Sequence, residues 1–362
     1  MTLDEQFMRQ ALKLARRGLG KVSPNPMVGA VVVKGGRVIA QGYHHLFGGD
    51  HAEVDALKRA KEDVSGSTLY VTLEPCRHWG KTPPCTDAII KSKISKVVVG
   101  MLDPFPEMRG KSIELLNQQG IPTVVGVLEA DCRSLNETYL KYINTGLPYV
   151  TVKWAQSLDG KISTPRGGSP YISSPQSLKL AHRLRATHDA ILVGVNTAIK
   201  DNPALTTRLV KGRNPVRVVL DSHLRLPLDS KVLSNQGAAK TIVVATPAAP
   251  KEKLAALAKM GIEVLTIPPN SSSRVDLPAL LKTLSQRQIS SVLVEGGAEV
   301  ITSFLRLALA DKIICIIAPK ILGKGTDAVT DLNITDLTQA LKMTFTRLYR
   351  SGVDIVVEGR RV

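Results

Sequence analysis

Cysteine, aromatic residues and long apolar runs are scarce in this sequence. Its 362 residues include 4 Cys, and aromatic side chains make up 4% of the chain. Four cysteines are too few for a disulfide-dense secreted scaffold. No apolar run reaches the roughly 18–20 residues that cross a membrane. The N-terminal segment places charged and apolar residues at helical spacing, unlike a signal peptide, so we expect a cytoplasmic protein without a membrane partner.

Acidic residues are under-represented, with 31 Asp and Glu against 48 Lys and Arg. The net charge of +17 is compatible with a nucleic-acid partner. The excess is uneven, because residues 1–146 hold 19 basic and 15 acidic residues whereas residues 147–362 hold 29 and 16. In the second half the basic residues are scattered. This pattern favours an anionic small molecule over nucleic acid, although scattered charges also simply keep a surface solvated.

Two successive series of strands and helices predict a two-domain α/β protein. The sequence Gly146-Leu147-Pro148 separates the series, and we therefore predict domains over residues 1–146 and 147–362. In the first series, Lys34-Gly35-Gly36 predicts a hairpin turn between two β-branched runs. That series also contains predicted helices over residues 52–64 and 128–144.

Two of the four cysteines lie close together in the stretch LEPCRHWGKTPPC, residues 73–85. Cys76 and Cys85 are compatible with a disulfide, with two buried thiols that act as small apolar side chains, or with two metal ligands. A reducing compartment disfavours the disulfide. The choice therefore depends on whether other metal-binding residues accompany them.

The stretch HAEVDAL supplies a histidine and a glutamate upstream of these cysteines. One imidazole and two thiolates leave one position of a tetrahedral zinc for water, as in catalytic sites. Zinc lowers the pKa of a bound water to about 7, and a carboxylate can carry its proton to a leaving nitrogen. The sequence thus predicts His51, Cys76 and Cys85 as zinc ligands and Glu53 as the catalytic proton carrier. A lone H-x-E is common, and His78 as a fourth, structural ligand is an alternative.

The order of these residues follows the H-x-E…P-C-x-x-C pattern of zinc nucleobase deaminases. Eight residues, rather than two, separate Cys76 from Cys85. Such a gap must loop out before Cys85 returns to the metal, and Pro83-Pro84 suits that return.

The second half gives weaker signals on its own. The stretch VEGGAEVITSFL predicts a strand, the pair Gly296-Gly297 and a helix. Adjacent glycines let backbone N–H groups approach a phosphate at a helix start, but they also suit a plain tight turn. The spacing is not G-x-G-x-x-G, which excludes a standard Rossmann fingerprint.

Five stretches together resemble one enzyme family: SPNPMVGAVVV, HAEVDAL, YVTLEPCRHWGKTPPC, SLDGK and DNPALTTRL. Over essentially the whole chain, the sequence is similar to the bifunctional riboflavin-biosynthesis deaminase–reductases. This resemblance implies an N-terminal cytidine-deaminase-like α/β/α domain and a C-terminal dihydrofolate-reductase-like α/β domain. It also implies zinc-dependent deamination of a diaminopyrimidinone that carries a phosphoribosylamino group, followed by NADPH-dependent reduction of ribosyl to ribityl. We expect a homo-oligomer.

The resemblance assigns roles to residues at matching positions. In the first domain it implies that Asn25 binds the pyrimidine, with His44, His78 and Lys81 as further ring or phosphate contacts. In the second it implies Lys153 and Asp201 as the catalytic pair. The implied cofactor contacts are Ala155, Tyr171, Thr197, Asp201 and Gly297. The implied substrate contacts are Ser169, Arg185, Leu205, Arg208 and Glu295. The arginine guanidinium suits a phosphate, although each arginine is also compatible with a solvent-exposed charge.

Four residues depart from the family pattern: Arg77, Asp55, Tyr171 and Thr302. Two other functions are weighed against the deaminase–reductase. A nucleic-acid deaminase with an accessory binding domain predicts the basic excess beside the deaminase, which the charge distribution opposes. A zinc-stabilised scaffold without catalysis has no need of Glu53.

Overall fold

The computed structural model describes residues 1–165 and 171–361. The chain forms two compact units, Met1–Leu147 and Pro148–Val362. Each unit is built on its own sheet, and helices alternate with strands in both. The predicted α/β class is confirmed.

The first unit contains a five-stranded sheet in the order β2-β1-β3-β4-β5. β1 pairs antiparallel with β2 and β3, whereas β3, β4 and β5 run parallel. The parallel strands therefore end at one edge of the sheet, where the loops that follow them meet. The strands are β1 (Gly29–Lys34), β2 (Arg37–Tyr43), β3 (Thr68–Val71), β4 (Lys96–Val99) and β5 (Thr123–Val125).

A two-residue turn joins β1 to β2, as the sequence predicts. Lys34 pairs with Arg37, and Gly35 and Gly36 have φ angles of 56° and 75°. A two-residue hairpin turn with both central residues at positive φ matches the twist of the strands, and glycine adopts these angles without strain.

Six α-helices accompany this sheet within the first unit. The second of them lies so close to β2 that a Cβ at Gly42 would stand 2.3 Å from the Ala56 nitrogen. Glycine at this position therefore allows the helix to lie directly on the strand. The helices are α1 (Leu3–Ala15), α2 (Ala52–Arg59), α3 (Cys85–Lys91), α4 (Lys111–Gln118), α5 (Glu129–Leu135) and α6 (Glu137–Thr145).

Two predicted helices of this unit differ from the structure. The helix predicted over residues 52–64 ends at Arg59 because Ala60 is extended. The helix predicted over residues 128–144 is divided at Asn136 into α5 and α6. The Asn136 side chain accepts a hydrogen bond from the Met27 N–H at 2.8 Å and donates to the Met27 carbonyl at 3.0 Å. A mid-helix asparagine is thus used to anchor a distant loop.

The second unit contains a nine-stranded sheet in the order β11-β10-β9-β8-β12-β6-β13-β16-β15. The strands from β11 to β13 run parallel, and β16 and β15 add an antiparallel edge. β7 and β14 form a separate two-stranded ribbon. The strands are β6 (Tyr149–Ser157), β7 (Lys161–Ser163), β8 (Ala190–Gly194), β9 (Val216–Leu220), β10 (Thr241–Ala245), β11 (Glu263–Thr266), β12 (Ser291–Val294), β13 (Lys312–Ala318), β14 (Thr326–Asp327), β15 (Met343–Ser351) and β16 (Asp354–Arg361).

Within residues 148–165 and 171–361, five α-helices connect these strands. The parallel strands β6, β8 and β12 are neighbours, so their carboxyl ends lie at one edge of the sheet. Open α/β sheets bind ligands at such an edge. The helices are α7 (Pro175–Thr187), α8 (Val195–Asp201), α9 (Lys251–Lys259), α10 (Leu277–Gln286) and α11 (Ala298–Arg306).

No helix within residues 1–165 and 171–361 has both the length and the apolar character that a bilayer crossing requires.

Candidate active sites

The first unit brings together the three residues that the sequence predicts as zinc ligands. His51 caps the N-terminus of α2, Cys76 lies in the loop after β3, and Cys85 is the first residue of α3. The His51 Nδ1 atom lies 3.4 Å from each of the two Sγ atoms. All three ligand atoms lie within 4.8 Å of one another.

This cluster fits a tetrahedral zinc ion. With metal–ligand distances of ~2.0 Å for nitrogen and ~2.3 Å for sulfur, adjacent ligands of a tetrahedron stand about 3.5 Å apart. A hydrogen bond from Cys85 and the neighbouring His51 hold the pKa of the Cys76 thiol well below its usual range. The pKa of Cys85 is raised because it shares this hydrogen bond with Cys76 and is deeply buried. One imidazole nitrogen and two thiolate sulfurs are ligands that suit zinc.

Glu53 lies in the first turn of α2 and is 3% exposed. Burial raises the pKa of Glu53 to about 7, while the positive charge of His51 opposes this rise. Its carboxyl group hydrogen-bonds to Cys85. The structure therefore holds a carboxyl group that can gain or lose a proton beside the three predicted ligands.

Asn25 reaches this cluster through His44. The His44 Nδ1–H donates to the Asp50 carbonyl at 2.9 Å, so Nε2 is left to accept from the Asn25 amide at 3.2 Å. The imidazoles of His44 and His51 meet edge to face, with centroids 5.4 Å apart. Burial lowers the pKa of His44, which favours its neutral form. Asn25 and His44 thus form one polar wall next to the predicted ligands.

The loop between Cys76 and Cys85 carries the remaining predicted contacts. The Lys81 ammonium lies 3.8 Å from the centre of the Phe47 ring. His78 is exposed, and its Nδ1 lies 3.0 Å from the Met108 sulfur. The Arg77 side chain is exposed, and nothing in the structure explains why arginine stands there.

Asp55 has a structural environment. Its carboxylate accepts hydrogen bonds from the Tyr43 N–H at 3.1 Å, the His45 imidazole at 2.9 Å and the Arg59 guanidinium at 2.7 Å. This departure from the family pattern therefore ties α2 to the end of β2.

The second unit assembles a buried charge cluster from three distant segments. Arg185 on α7 donates from Nη2 to Glu295 Oε2 at 2.7 Å and from Nε to Oε1 at 3.2 Å. Lys153 on β6 lies 3.9 Å from Glu295 Oε2. The three side chains are between 9% and 13% exposed. Burial alone would raise the pKa of Glu295, but the charges of Arg185 and Lys153 outweigh it and lower this pKa to about 2.

Within residues 1–165 and 171–361, the ion pair of Lys153 is with Glu295, and none joins Lys153 to Asp201. Asp201 ends α8 with an exposed side chain, and partial burial raises its pKa. Burial lowers the pKa of Lys153 despite the opposing effect of Glu295. A lysine in this state releases a proton more readily than an exposed one.

The segment after α8 carries two further predicted contacts. Leu205 is 2% exposed and has a φ angle of 52°, an uncommon conformation for a branched residue. Arg208 is exposed, and its Nη2 donates to the Tyr171 hydroxyl at 3.5 Å. The side chains of Arg208 and Tyr171 therefore lie on the same side of the unit.

Two of the predicted cofactor contacts adjoin each other at the carboxyl edge of the sheet. A Cβ at Gly297 would lie 3.0 Å from the Thr197 hydroxyl, so glycine permits this close approach. Thr197 lies in the first turn of α8, and Gly297 caps α11. Ala155 is on β6, which pairs with β12, the strand that α11 follows. Ser169, a predicted substrate contact, lies outside the described residues.

Thr302 is one of the four residues that depart from the pattern expected from the sequence resemblance. Its hydroxyl donates to the Ala298 carbonyl at 2.7 Å and accepts from the N–H and hydroxyl of Thr330 at 2.8 and 2.9 Å. The side chain is 2% exposed. Through these hydrogen bonds, the threonine side chain links the segment around Thr330 to α11.

The sequence reasoning missed one buried polar residue, His182. It lies on α7 three residues before Arg185, on the same helix face, and it is 3% exposed. The spacing to Arg185 is the signal that could have drawn attention to it.

Two family models match the chain. The model described as the cytidine and deoxycytidylate deaminase zinc-binding region matches residues 1–101. The model described as the RibD C-terminal domain matches residues 148–357. These matches confirm the predicted deaminase-like first domain and the reductase domain behind it.

Full-length relatives agree with both matches. The riboflavin biosynthesis protein RibD of Aquifex aeolicus is 46% identical over 360 residues, which cover 99% of each chain. The crystal structure of a diaminohydroxyphosphoribosylaminopyrimidine deaminase/5-amino-6-(5-phosphoribosylamino)uracil reductase from Thermotoga maritima superposes with a TM-score of 0.87 at 40% identity, covering 99% of each chain. RibD of Acinetobacter baumannii gives a TM-score of 0.89 at 36% identity, again over 99% of each chain. The resemblance noted in the sequence is confirmed, and the chain belongs to the RibD family of riboflavin biosynthesis proteins.

Proposed function

We propose that this chain catalyses two consecutive reactions of riboflavin biosynthesis. The first unit, within residues 1–146, deaminates a diaminopyrimidinone that carries a phosphoribosylamino group. The second unit, within residues 147–362, reduces the ribosyl group of the product to ribityl with NADPH. The observation that carries the proposal is the buried group of His51, Cys76 and Cys85 with Glu53 beside it.

In the deaminase, His51, Cys76 and Cys85 would hold zinc. When bound, zinc supplies a water that is acidic enough to lose its proton at neutral pH. Glu53, whose pKa burial raises to about 7, would accept the proton of that water. Glu53 then passes the proton to the departing amine.

Substrate orientation in the deaminase falls to Asn25 and His44. Because the Asn25 amide donates one hydrogen to His44, its carbonyl oxygen and second amide hydrogen are left for the pyrimidine edge. Lys81 is the cation suited to the substrate phosphate, and His78 is a further contact from the same loop.

In the reductase, bound NADPH would supply a hydride for C1 of the opened sugar, and a residue of the chain must then deliver a proton to the adjacent heteroatom. Lys153 is the proposed proton donor because burial lowers its pKa. Glu295 keeps Lys153 and Arg185 in place. Arg208, whose exposed guanidinium is free of any carboxylate in the described part of the chain, binds the phosphate of the substrate.

The remaining contacts are proposed from their positions. Ala155, Tyr171, Thr197 and Gly297 line the cofactor region at the carboxyl edge of the sheet, and Asp201 acts there or as a second catalytic group. Arg185, Leu205 and Glu295 bound the substrate region, together with Ser169.

We also propose a cytoplasmic homo-oligomer that binds no nucleic acid. The four cysteines are free thiols, which suits a reducing compartment. The basic excess is scattered through the second half rather than concentrated near the deaminase. Phe345 and Leu348 on the edge strand β15 are 68% and 66% exposed, and a second copy of the chain would cover them.

A coupled assay of the purified chain tests the proposed function. Zinc content, ammonia release and NADPH consumption are followed for the wild type, Glu53→Gln, Lys153→Gln and Asp201→Asn, with light scattering for the oligomeric state. We expect Glu53→Gln to keep zinc and lose ammonia release by a factor of about 100 to 10,000. Lys153→Gln and Asp201→Asn should lose only reduction. A wild type without zinc, or one that deaminates only tRNA, contradicts the proposal.

A further inference from the structure

His182 has a buried acceptor atom that serves the segment after α8. Its Nδ1 accepts hydrogen bonds from the Arg208 N–H at 3.0 Å and from the Leu209 N–H at 3.4 Å. Because Nδ1 is the acceptor, the ring proton belongs on Nε2. The orientation and the tautomer of this imidazole are therefore both defined by the backbone that it contacts.

The environment keeps this imidazole neutral. Burial, followed by the positive charges of Arg185, Arg208 and Lys153, lowers the pKa of His182 to about 4, and only Glu295 acts in the opposite direction. At neutral pH the Nδ1 lone pair is thus free to accept both backbone hydrogens.

The segment that contains Leu205 and Arg208 lacks regular secondary structure. Side chains from other segments hold its backbone instead. The Thr207 N–H donates to the Asn214 side chain at 2.7 Å, and the Thr206 carbonyl accepts from Arg185 at 3.4 Å. Among these contacts, the 3.0 Å bond to His182 is the one made by the backbone of Arg208 itself.

We propose that His182 is a positioning residue of the reductase, whose Nδ1 fixes the backbone at Arg208 and so directs the guanidinium towards the phosphate of the substrate. This inference rests on the proposed function, in which Arg208 binds that phosphate. A group that acts in this way affects phosphate recognition and leaves the hydride and proton steps unchanged.

The test uses the full-length chain and two substrates, the deaminated pyrimidine with and without its 5′-phosphate. His182→Leu removes the acceptor, His182→Asn retains one at the position of Nδ1, and His182→Gln moves it to the position of Nε2. We expect His182→Leu and His182→Gln to raise KM for the phosphorylated substrate about tenfold, with kcat nearly unchanged. KM for the substrate without phosphate should stay the same, and His182→Asn should restore most of the loss.

Arg208→Ala provides the reference, because it removes the proposed phosphate ligand outright. If Arg208→Ala abolishes the preference for phosphate but His182→Leu and His182→Gln retain it, the inference is wrong. An equal rise of KM for both substrates also overturns it, since that result indicates general damage to the unit. If Arg208→Ala itself leaves the phosphate preference intact, the proposed role of Arg208 fails instead. Ammonia release by the first unit and the melting temperature check that each variant is folded.

Discussion

Each unit contains a buried glutamate with a shifted pKa, and the two pKa values are shifted in opposite directions. Glu53 is 3% exposed and the side chain of Glu295 is 9% exposed. Burial raises the pKa of Glu53 to about 7. The pKa of Glu295 is about 2, because Arg185 and Lys153 outweigh the effect of burial. Similar exclusion from water therefore produces a group that titrates near neutrality in one unit and a permanent anion in the other.

The difference lies in the charges around each carboxyl group. Glu53 is opposed by one histidine, and the neighbouring Cys76 thiolate raises its pKa further. Glu295 receives two hydrogen bonds from one guanidinium and lies 3.9 Å from an ammonium. At Glu295, these opposite charges stabilise the ionised form more than burial destabilises it.

Each arrangement suits a different task. A carboxyl group that gains and loses a proton near neutral pH can act as a general acid and base. A carboxylate with two cationic partners cannot, but it holds those partners in fixed positions. The burial of an acidic residue therefore does not identify a catalytic acid until its neighbours are known.

The largest effect that we expect from this contrast is that of Glu295→Gln. Without the carboxylate, Arg185 and Lys153 remain buried without a counter-charge, and the pKa of Lys153 falls further. We expect NADPH consumption to fall about a hundredfold or more, with ammonia release unchanged.

The matched control is Glu263→Gln, which breaks an exposed ion pair between Glu263 and Arg287 in the same unit. Exposed pairs contribute little, so this variant should reduce the substrate at the wild-type rate. Wild-type reduction by Glu295→Gln would mean that the buried carboxylate is dispensable.

A smaller effect should appear in the stability of the second unit as a function of pH. The folded pKa of about 2 lies below the reference value of 4.5, so ionised Glu295 stabilises the fold above pH 4.5 and this contribution is lost as the pH falls towards 2. The contribution is on the order of 3 kcal/mol at pH 7.

Thermal unfolding of the wild type and Glu295→Gln at several pH values measures this contribution. The transition of the second unit is identified by its upward shift with NADPH. The gap between the two melting temperatures should shrink as the pH falls from 5 to about 3. A gap that is constant over this range would indicate that the carboxylate does not have a lowered pKa.

The sequence alone reveals more of the site in the first unit than of the site in the second, and the reason is physical. In the first unit, His51 and Glu53 are two residues apart, and Cys76 and Cys85 share one loop, so a local pattern shows the chemistry. In the second unit, Lys153, Arg185 and Glu295 come from β6, α7 and the end of β12. Their pairing depends on the order of strands in the sheet, which no local pattern reveals.

The same distinction explains the elements that the sequence did not predict. β15 has an exposed row of mixed apolar and charged side chains, so it lacks the alternation that marks a half-buried strand. α8 has seven residues, too few for a helical period to stand out. The break at Asn136 depends on hydrogen bonds to Met27, more than a hundred positions away.

The smallest effect that we expect concerns the different contacts of one lysine in each unit, Lys153 and Lys81. Lys153 is paired with an anion, whereas Lys81 lies over the neutral Phe47 ring, 3.8 Å from its centre. A cation–π contact at an exposed site contributes about 0.5–1 kcal/mol. Phe47→Leu should therefore raise KM for ammonia release about two- to fivefold, and only for the substrate with its phosphate. Phe47→Tyr keeps the ring and should behave as the wild type. Equal KM values for Phe47→Leu and Phe47→Tyr would show that the ring does not orient Lys81, and the contrast between the two lysines would then rest on Glu295 alone.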